Sequence, residues 1–246
     1  MRSNFIYILI CFFSFLSCVE NEDIEVVKTL QDVIDNNSNL ILGEVIACAG
    51  SKKSNNNISY IFYYPVPSAN NIQFFETENI NVDKNDFSKY KLKTLPKEAL
   101  FNGYLERFVR GSSTEAWCII TYLTNGKFHK SNPILLKNQT KSTEWVNEVT
   151  IDFSESLEPK FIWVDGRIKE NEIYFQVVTN SDNDLLSGTY TYDNWFQYYK
   201  LSNVVLNVTR EAPPSLIKNN NYGFTMMGVS EDNWVNLVVE KQFRAK

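Results

Sequence analysis

The chain has 246 residues, of which 43% are hydrophobic and 22% are charged. These proportions are typical of a globular protein and exclude a chain that is disordered throughout. With 24 Lys and Arg against 29 Asp and Glu, the formal net charge is -5, so there is no basic field to collect phosphates, and nucleic acid is not an expected partner. Aromatic residues reach 14% while only 9 residues are Gly, which favours packed sheets over Gly-rich nucleotide-binding turns.

The amino-terminal residues have the pattern of an export signal. Arg2 precedes an apolar run at residues 5–16, which is shorter than the roughly 20 residues of a membrane-spanning helix and fits a secretory h-region. The alternatives are an uncleaved anchor helix and a buried core helix. Ser17 followed by Cys18 resembles the lipobox of bacterial lipoproteins. The acidic residues 19–23 (VENED) resemble the export signal of surface lipoproteins in the Bacteroidota.

These resemblances imply a processed and lipid-anchored protein. Residues 1–17 would be removed as a signal peptide, and Cys18 would carry diacylglycerol and an amide-linked chain such as palmitate. Two or three acyl chains suffice for stable attachment, so the expected location is the outer membrane or the cell surface. Residues 18–39 are predicted to be a tether with a short, loosely docked helix, because Ile24, Val27, Leu30 and Ile34 recur at helical spacing.

Two β-sandwich units are predicted to follow the tether. Residues 40–143 and 148–246 each contain short β-prone runs separated by turns rich in Asn, Ser, Pro and Gly. Such spacing is typical of sandwiches and barrels. In the first unit, a run ending in YYPVP, the run NIQFFETEN and the stretch EAWCIITYLTNGKFHKSNPILLK resemble strands B, C, F and G of fibronectin type III domains. The resemblance implies an all-β fold of two tandem antiparallel sandwiches, fibronectin III or immunoglobulin-like in type, with Trp117 at the start of strand F.

The sequence leaves two states of the cysteines open, one bridged and one with free thiols. If Cys11 is removed with the signal and Cys18 is acylated, Cys48 and Cys118 remain in a compartment that permits disulfides. A bridge would stabilise the fold by roughly 4 kcal/mol on the chain-entropy model. Both residues lie in apolar runs, however, so two separately buried free thiols are the alternative. Neither Cys has a second ligand at zinc-site spacing, and no metal is predicted.

The familiar catalytic and metal-binding motifs are incomplete in this sequence. His129 is expected to be an exposed hairpin residue, and a Cys118–His129 pair is not favoured because Cys118 lies in the middle of a strand. Residues 150–155 (TIDFSE) resemble a strand of laminarinase-like glycoside hydrolases, but Thr150 stands where the nucleophile belongs, so Asp152 and Glu155 lack the partner that two-carboxylate hydrolysis requires. The loops at residues 180–184 and 230–232 carry oxygen ligands without a complete calcium motif, so solvated turns are favoured. No catalytic residue and no cofactor is predicted.

Two aromatic clusters are the remaining functional signal. Tyr190, Tyr192, Trp195 and Tyr198 crowd one segment, and residues 60–64 form the other. Because side chains alternate along a strand, some of each cluster must face away from a one-sided core. The first four are therefore candidate ligand-binding residues that stack on a sugar or contact a protein. The alternative is that the rings fill the core between the sheets of each sandwich.

These observations predict a non-catalytic, membrane-anchored binding or adhesion module whose partner is a glycan or a protein. One alternative is an extracytoplasmic hydrolase of glycans or peptides with carboxylates in the cleft between the units. Another is a structural subunit of an envelope complex, which a flat apolar patch would indicate. The sequence does not predict an oligomeric state.

Overall fold

The computed structural model describes residues 28–37, 40–42 and 45–246. The predicted signal, lipobox and acidic stretch lie outside these residues. In the described part of the chain, no helix is both long enough and apolar enough to cross a bilayer.

The chain folds into two β-sandwich units. The elements of the first unit are α1 (Leu30–Asp35), β1 (Leu40–Leu42), β2 (Ala47–Lys52), β3 (Asn55–Tyr63), β4 (Asn70–Glu76), a 3-10 turn (Phe87–Lys89), β5 (Lys91–Lys93), β6 (Lys97–Leu100), β7 (Leu105–Gly111), β8 (Trp117–Thr124), β9 (Lys127–Lys130) and β10 (Ile134–Leu135). The elements of the second unit are β11 (Glu144–Val146), β12 (Thr150–Asp152), β13 (Lys160–Ile162), β14 (Ile173–Thr179), β15 (Leu185–Thr191), β16 (Trp195–Gln197), β17 (Val204–Asn207), β18 (Asn221–Val229) and β19 (Val235–Arg244). The predicted all-β fold class with tandem sandwiches is confirmed.

The strand order of the first unit follows the immunoglobulin-like pattern. One sheet has the order β2-β3-β7-β6 and the other β1-β9-β8-β4-β5, with β10 also paired to β8. With β2 as strand A, these orders match sheets A-B-E-D and G-F-C. Strands β3, β4, β8 and β9 take the B, C, F and G positions that the resemblance implied, and Trp117 begins β8. Their apolar inward faces form the core of this unit, which includes Ile61, Tyr63, Phe74 and Ile120.

The second unit departs from that pattern in one strand. Its sheets have the orders β11-β19-β18-β14-β15-β17 and β12-β13-β16. In the E position, beside β13, this unit has strand β16. Strand β16 comes before the edge strand β17 in sequence. Phe161, Tyr198 and Phe224 belong to the core of this unit. The predicted limits of the two domains, 40–143 and 148–246, stay predictions.

The short helix is firmly packed and not loosely docked as predicted. Thr29 and Asp32 form a capping box, in which the Thr29 N–H donates to the Asp32 carboxylate at 2.8 Å. Leu30 and Val33 are buried in a cluster on the outer face of the β1-β9-β8-β4-β5 sheet, where Phe75 also lies. The helical spacing correctly indicated Leu30. The other positions it named are Ile34, which is only partly buried, and Ile24 and Val27, which lie outside the described residues.

A fourth apolar cluster lies between the two units and joins them. Strand β3 contributes to it through Tyr60 and Phe62, whereas Ile61 and Tyr63 face the first unit's own core. From the second unit, Phe175 and Val177 enter the same cluster. Strands β3 and β14 are therefore buried on both faces. We call this set of contacts the interface cluster.

Trp234 carries the connection beyond the interface. It lies in the β18–β19 turn of the second unit, yet its side chain is fully buried in the core cluster of the first unit. Its indole N–H donates to the carbonyl of Lys141 at 2.7 Å, and the Ala49 N–H donates to the carbonyl of Asn233 at 3.0 Å. Gly50 allows this close approach, because a Cβ there would lie 2.9 Å from the Thr143 hydroxyl.

We expect Trp234→Ala to lower the free energy of unfolding by about 3–5 kcal/mol, the usual cost of deleting a buried large aromatic side chain. The loss will affect both units, because the residue belongs to one and fills the core of the other. Urea unfolding followed by circular dichroism measures it. Tyr192→Ala, which removes a side chain that is 66% exposed, is the control and will change stability by less than about 0.5 kcal/mol. Equal stability of the two variants would contradict this assignment.

Candidate functional site

The structure distributes the four predicted ligand-binding aromatics over different environments. Tyr198 is fully buried in the second core, where its hydroxyl donates to the carbonyl of Pro214 at 2.6 Å. Tyr190 packs against the interface cluster with its ring centroid 4.6 Å from that of Phe175, and burial raises the pKa of its hydroxyl well above the ordinary value. Tyr190 and Tyr198 are therefore not available to a ligand, and for these two candidates the alternative of ring packing is the one that the structure has. Both rings pack in the interior. Tyr190 lies on the side of β15 that is covered, and Tyr198, which follows β16, also faces a covered side.

The other two aromatics reach solvent. Tyr192 is largely exposed, and Trp195 is half-buried on the outer face of the three-stranded sheet, where the Lys160 ammonium lies 4.1 Å from its ring centroid. Other exposed apolar side chains of this unit are Ile162, Val164, Tyr199, Leu201, Val205, Leu206 and Ile217. The structural-subunit alternative requires such side chains to form one flat patch. Of the four candidate sugar-stacking rings, Tyr192 and Trp195 remain accessible, and the neighbouring Tyr199 is also exposed.

The sequence left open a Cys48–Cys118 bridge or two separate thiols, and the structure has two free thiols, so the bridge is wrong. Cys118 is in β8 and points into the first core, whereas Cys48 is in β2 of the facing sheet and packs outward against the interface cluster. The two side chains thus lie on opposite sides of the sheet that carries β2. Burial raises the pKa of Cys48 to about 12 and also raises that of Cys118.

His129 is buried, which corrects the prediction of an exposed hairpin residue. It is only 7% exposed because β9 is an inner strand between β1 and β8, and its ring packs 5.3 Å from that of Tyr122. Since His129 pairs with Tyr122, which is four residues from Cys118 along β8, about 13 Å of strand separates the histidine from the thiol. These two residues do not form a nucleophile–base pair.

Turn residues in the polar motifs bond mainly to their neighbours. Asn180 accepts hydrogen bonds from the backbone N–H groups of Asp182 and Asp184 at 3.0 and 2.8 Å. Asp152 accepts one from the Ser154 N–H at 2.8 Å, and hydrogen bonds from Gln197 and Lys200 lower the pKa of Glu155. Among the described residues, no group of three His, Cys, Asp or Glu side chains is placed to hold a metal ion.

The principal concave site is a cleft of about 500 Å³ between the two units, which we call the inter-unit cleft. The first unit provides Phe62, Leu100, Phe101 and Arg107. The Arg107 guanidinium lies 3.6 Å from the ring centroid of Tyr60 and donates to Glu98 at 2.8 Å, so its position is fixed from two sides.

The opposite wall of the inter-unit cleft comes from the second unit. Its lining residues are Trp145, Thr179, Asn183, Gly223, Phe224, Thr225, Met227, Val238, Glu240, Lys241 and Gln242. Trp145 donates its indole N–H to the carbonyl of Ser51 at 3.0 Å, and Glu240 is within 3.6 Å of the Lys53 ammonium. Apolar side chains thus adjoin amides, hydroxyls and fixed charges, a combination typical of ligand sites.

An unusual turn holds Phe101 beside the inter-unit cleft. Phe101, Asn102 and Gly103 have φ values of 49°, 52° and 85°, a conformation that Asn and Gly adopt readily and a bulky aromatic residue seldom adopts. The turn is fixed from the second unit, because the Asn102 amide donates to the carbonyl of Asp182 and to the Asp184 carboxylate at 3.1 and 2.6 Å. Contacts between the units therefore compensate for the backbone strain at Phe101.

A second hollow of about 390 Å³ between the units bears on the hydrolase alternative. Its lining residues are Lys84, Lys137, Glu170, Glu172, Ser230, Glu231 and Asp232. Lys137 pairs with Asp232 at 2.8 Å, and Lys141 pairs with Glu170 and lowers its pKa. A general acid at neutral pH needs a raised pKa. The pKa of Glu170 is shifted in the opposite direction, which does not suit that role. The inter-unit cleft itself has one lining carboxylate, Glu240.

Comparison with known proteins gives limited information. No family model and no curated protein matches the chain. Among solved structures, it is similar to a two-domain fibronectin type III segment of chicken tenascin, with 11% identity, 82% of this chain and 98% of that chain covered, and a TM-score of 0.27. It is also similar to the FN1–FN3 domains of chicken CNTN1 (11% identity, 85% and 68% covered, TM-score 0.27) and to the receptor tyrosine kinase Torso (11% identity, 83% and 75% covered, TM-score 0.26). Overall likeness this low carries no argument, so the fold assignment rests on the strand order.

We expect the buried Cys118 and the partly buried Cys48 to be unreactive until the protein unfolds. In the full chain carrying Cys11→Ser and Cys18→Ser, a thiol reagent at pH 8 will label no cysteine of the native protein, because the raised pKa of each thiol suppresses the reactive thiolate. In denaturant without reductant, two thiols will react. An added exposed cysteine, Ser202→Cys, is the positive control. If no thiol appears in denaturant, the cysteines are bridged and the assignment is wrong.

Proposed function

We propose that this protein is a membrane-anchored, non-catalytic binding module that holds its partner in the inter-unit cleft. The observation that carries the proposal is the cleft itself. Both units line it, fixed contacts to Glu98, Ser51 and Asp184 position its walls, and its volume is in the range of ordinary ligand sites. A partner would replace water from apolar walls while meeting polar groups at the rim.

The arrangement of polar groups favours binding over chemistry. Glu240 and Arg107 each lie near an opposite charge, and among the described residues no second carboxylate lines the cleft to act with Glu240 in a two-carboxylate reaction. The sequence supports the partner class, a glycan or a protein. The geometry of the inter-unit cleft supports the proposed position of that partner.

Anchoring is the second part of the proposal and rests on the sequence. The Ser17–Cys18 pair, the apolar run before it and the acidic residues 19–23 together support acylation of Cys18 and display at the outer membrane or cell surface. A lipid tether would restrict the inter-unit cleft to the neighbourhood of the membrane and raise its effective concentration there.

Cys18→Ala is expected to release the protein from membranes into the soluble fraction, because no acyl chain can then be attached. Fractionation of cells expressing the full chain, with immunoblotting, measures this. Cys11→Ala changes a cysteine within the predicted signal and serves as the matched control, which will remain in the membrane fraction. A Cys18→Ala protein that stays membrane-bound would contradict the lipid anchor.

Filling the inter-unit cleft should weaken binding without disturbing the fold. Thr225 is half-buried on an interface-facing strand and lines the cleft, so Thr225→Trp will occupy ligand space. We expect ligands selected from a glycan array or a random-peptide display library to bind this variant about tenfold more weakly or worse. Ser202→Trp, an equal enlargement at an exposed turn, will bind as the unmodified chain does. Unchanged affinity in Thr225→Trp would place the binding site elsewhere.

A further inference from the structure

One edge of β19 is paired over only part of its length. On one side β18 pairs with it as far as Asn221 and Arg244. On the other side β11 pairs through three positions and stops at Val146, opposite Val239. The chain then turns away to β12, which belongs to the other sheet. Among the described strands none pairs with this side of residues 240–242, which we call the open edge.

The backbone groups of the open edge follow from the ladder geometry. The Ala245 N–H donates to the carbonyl of Asn220 at 3.0 Å, in register with the β18–β19 ladder. Antiparallel partners alternate between hydrogen-bonded and non-hydrogen-bonded pairs. Lys241 and Phe243 therefore direct their N–H and C=O groups to β18. Glu240 and Gln242 direct theirs away from β18, across the open edge.

A cavity adjoins each face of the open edge. The inter-unit cleft lies on the face that Glu240 and Gln242 share with Val238, a member of the interface cluster. Lys241 shares the opposite face with Val239 and Phe243, which enter the second core. There it lines a shallow groove of about 410 Å³ together with Asn147, Glu148, Val149, Thr150, Ile162, Trp163 and Val164. Lys241 lines both cavities, so cleft and groove meet at this edge.

We propose that the partner docks an extended polypeptide segment along the open edge, in line with β11. This proposal rests on the proposed function and specifies the partner's chemistry. An added strand would pair its backbone with Glu240 and Gln242, and its alternate side chains would enter the inter-unit cleft on one face and the groove on the other. Main-chain hydrogen bonds then supply affinity, and the two cavities supply sequence preference.

The lining residues favour a polypeptide over a glycan. Sugar stacking needs an accessible ring face, but Phe62 is only 6% exposed, and the Trp145 ring has the Lys53 ammonium 5.9 Å from its centroid. The groove offers the aliphatic side chains of Ile162 and Val164, both exposed, which suit an apolar side chain. Lys53 neutralises the charge of Glu240 and Glu98 that of Arg107, so the segment that fits is apolar at alternate positions and low in net charge.

The test selects ligands for the full chain from a random-peptide display library and, in parallel, from a glycan array. Gln242→Pro removes an N–H that points across the open edge and places a ring against an incoming strand, while the β18 ladder keeps its donors. Gln242→Ala is the matched control, because it removes the side chain and keeps the N–H. We expect selected peptides to bind Gln242→Pro at least about tenfold more weakly than they bind Gln242→Ala, because both variants lack the Gln242 side chain and only Gln242→Pro lacks the N–H.

Hydrogen exchange on the unmodified chain gives a second readout that does not depend on how well Gln242→Pro folds. In the free protein the amides of Glu240 and Gln242 will exchange fast and those of Lys241 and Phe243 slowly. Bound peptide will protect Glu240 and Gln242. Peptides that bind without this protection, or glycans that bind while no peptide does, would overturn the strand-addition proposal and leave the proposed function standing. If neither collection yields a ligand that Thr225→Trp weakens, the proposed function itself fails.

Discussion

The structure depends on the burial of apolar side chains between the two sandwiches. Trp234 leaves the second unit and completes the core of the first, and the interface cluster covers the outer faces of β3 and β14. A sheet that is apolar on both faces is stable only when both faces are covered. The aromatic side chains that alternate along β3 and β14 therefore need the other unit to cover them. Neither sandwich can bury all of its apolar side chains on its own.

This constraint also creates the candidate site. Packing two twisted sheets face to face leaves space where their edges diverge, and the inter-unit cleft lies there. The contacts that hold its walls, such as the bonds from Asn102 to the loop at residues 180–184 and from Trp145 to Ser51, run between the units. The geometry of the inter-unit cleft consequently depends on the packing between the two units. A change that loosens this packing will alter the cleft. The lipid anchor proposed at Cys18 concerns only where this rigid pair of sandwiches is held.

Much of the fold was accessible from local pattern. Short β-prone runs, the turn residues between them and the B, C, F and G runs predicted two all-β units correctly, because strand formation depends on neighbouring residues. The local pattern did not show what each face of a strand packs against. The sequence left open whether Tyr190 and Tyr198 face a ligand or fill the core, and one packs at the interface and the other in the second core. It also left open whether Cys48 and Cys118 are bridged, and a sheet separates their side chains. His129 was predicted to be exposed, because nothing local shows that β9 lies between β1 and β8. Each of these outcomes depends on contacts between residues far apart in sequence.

The central claim is that the two sandwiches form a single cooperative body. Native-state hydrogen exchange at increasing urea concentrations tests it most directly, by comparing the slowest amides of β8 in the first unit with those of β14 in the second. The account predicts that both sets exchange only through global unfolding, with the same free energy and the same dependence on urea. Two distinct free energies, with one unit opening while the other stays protected, would contradict it.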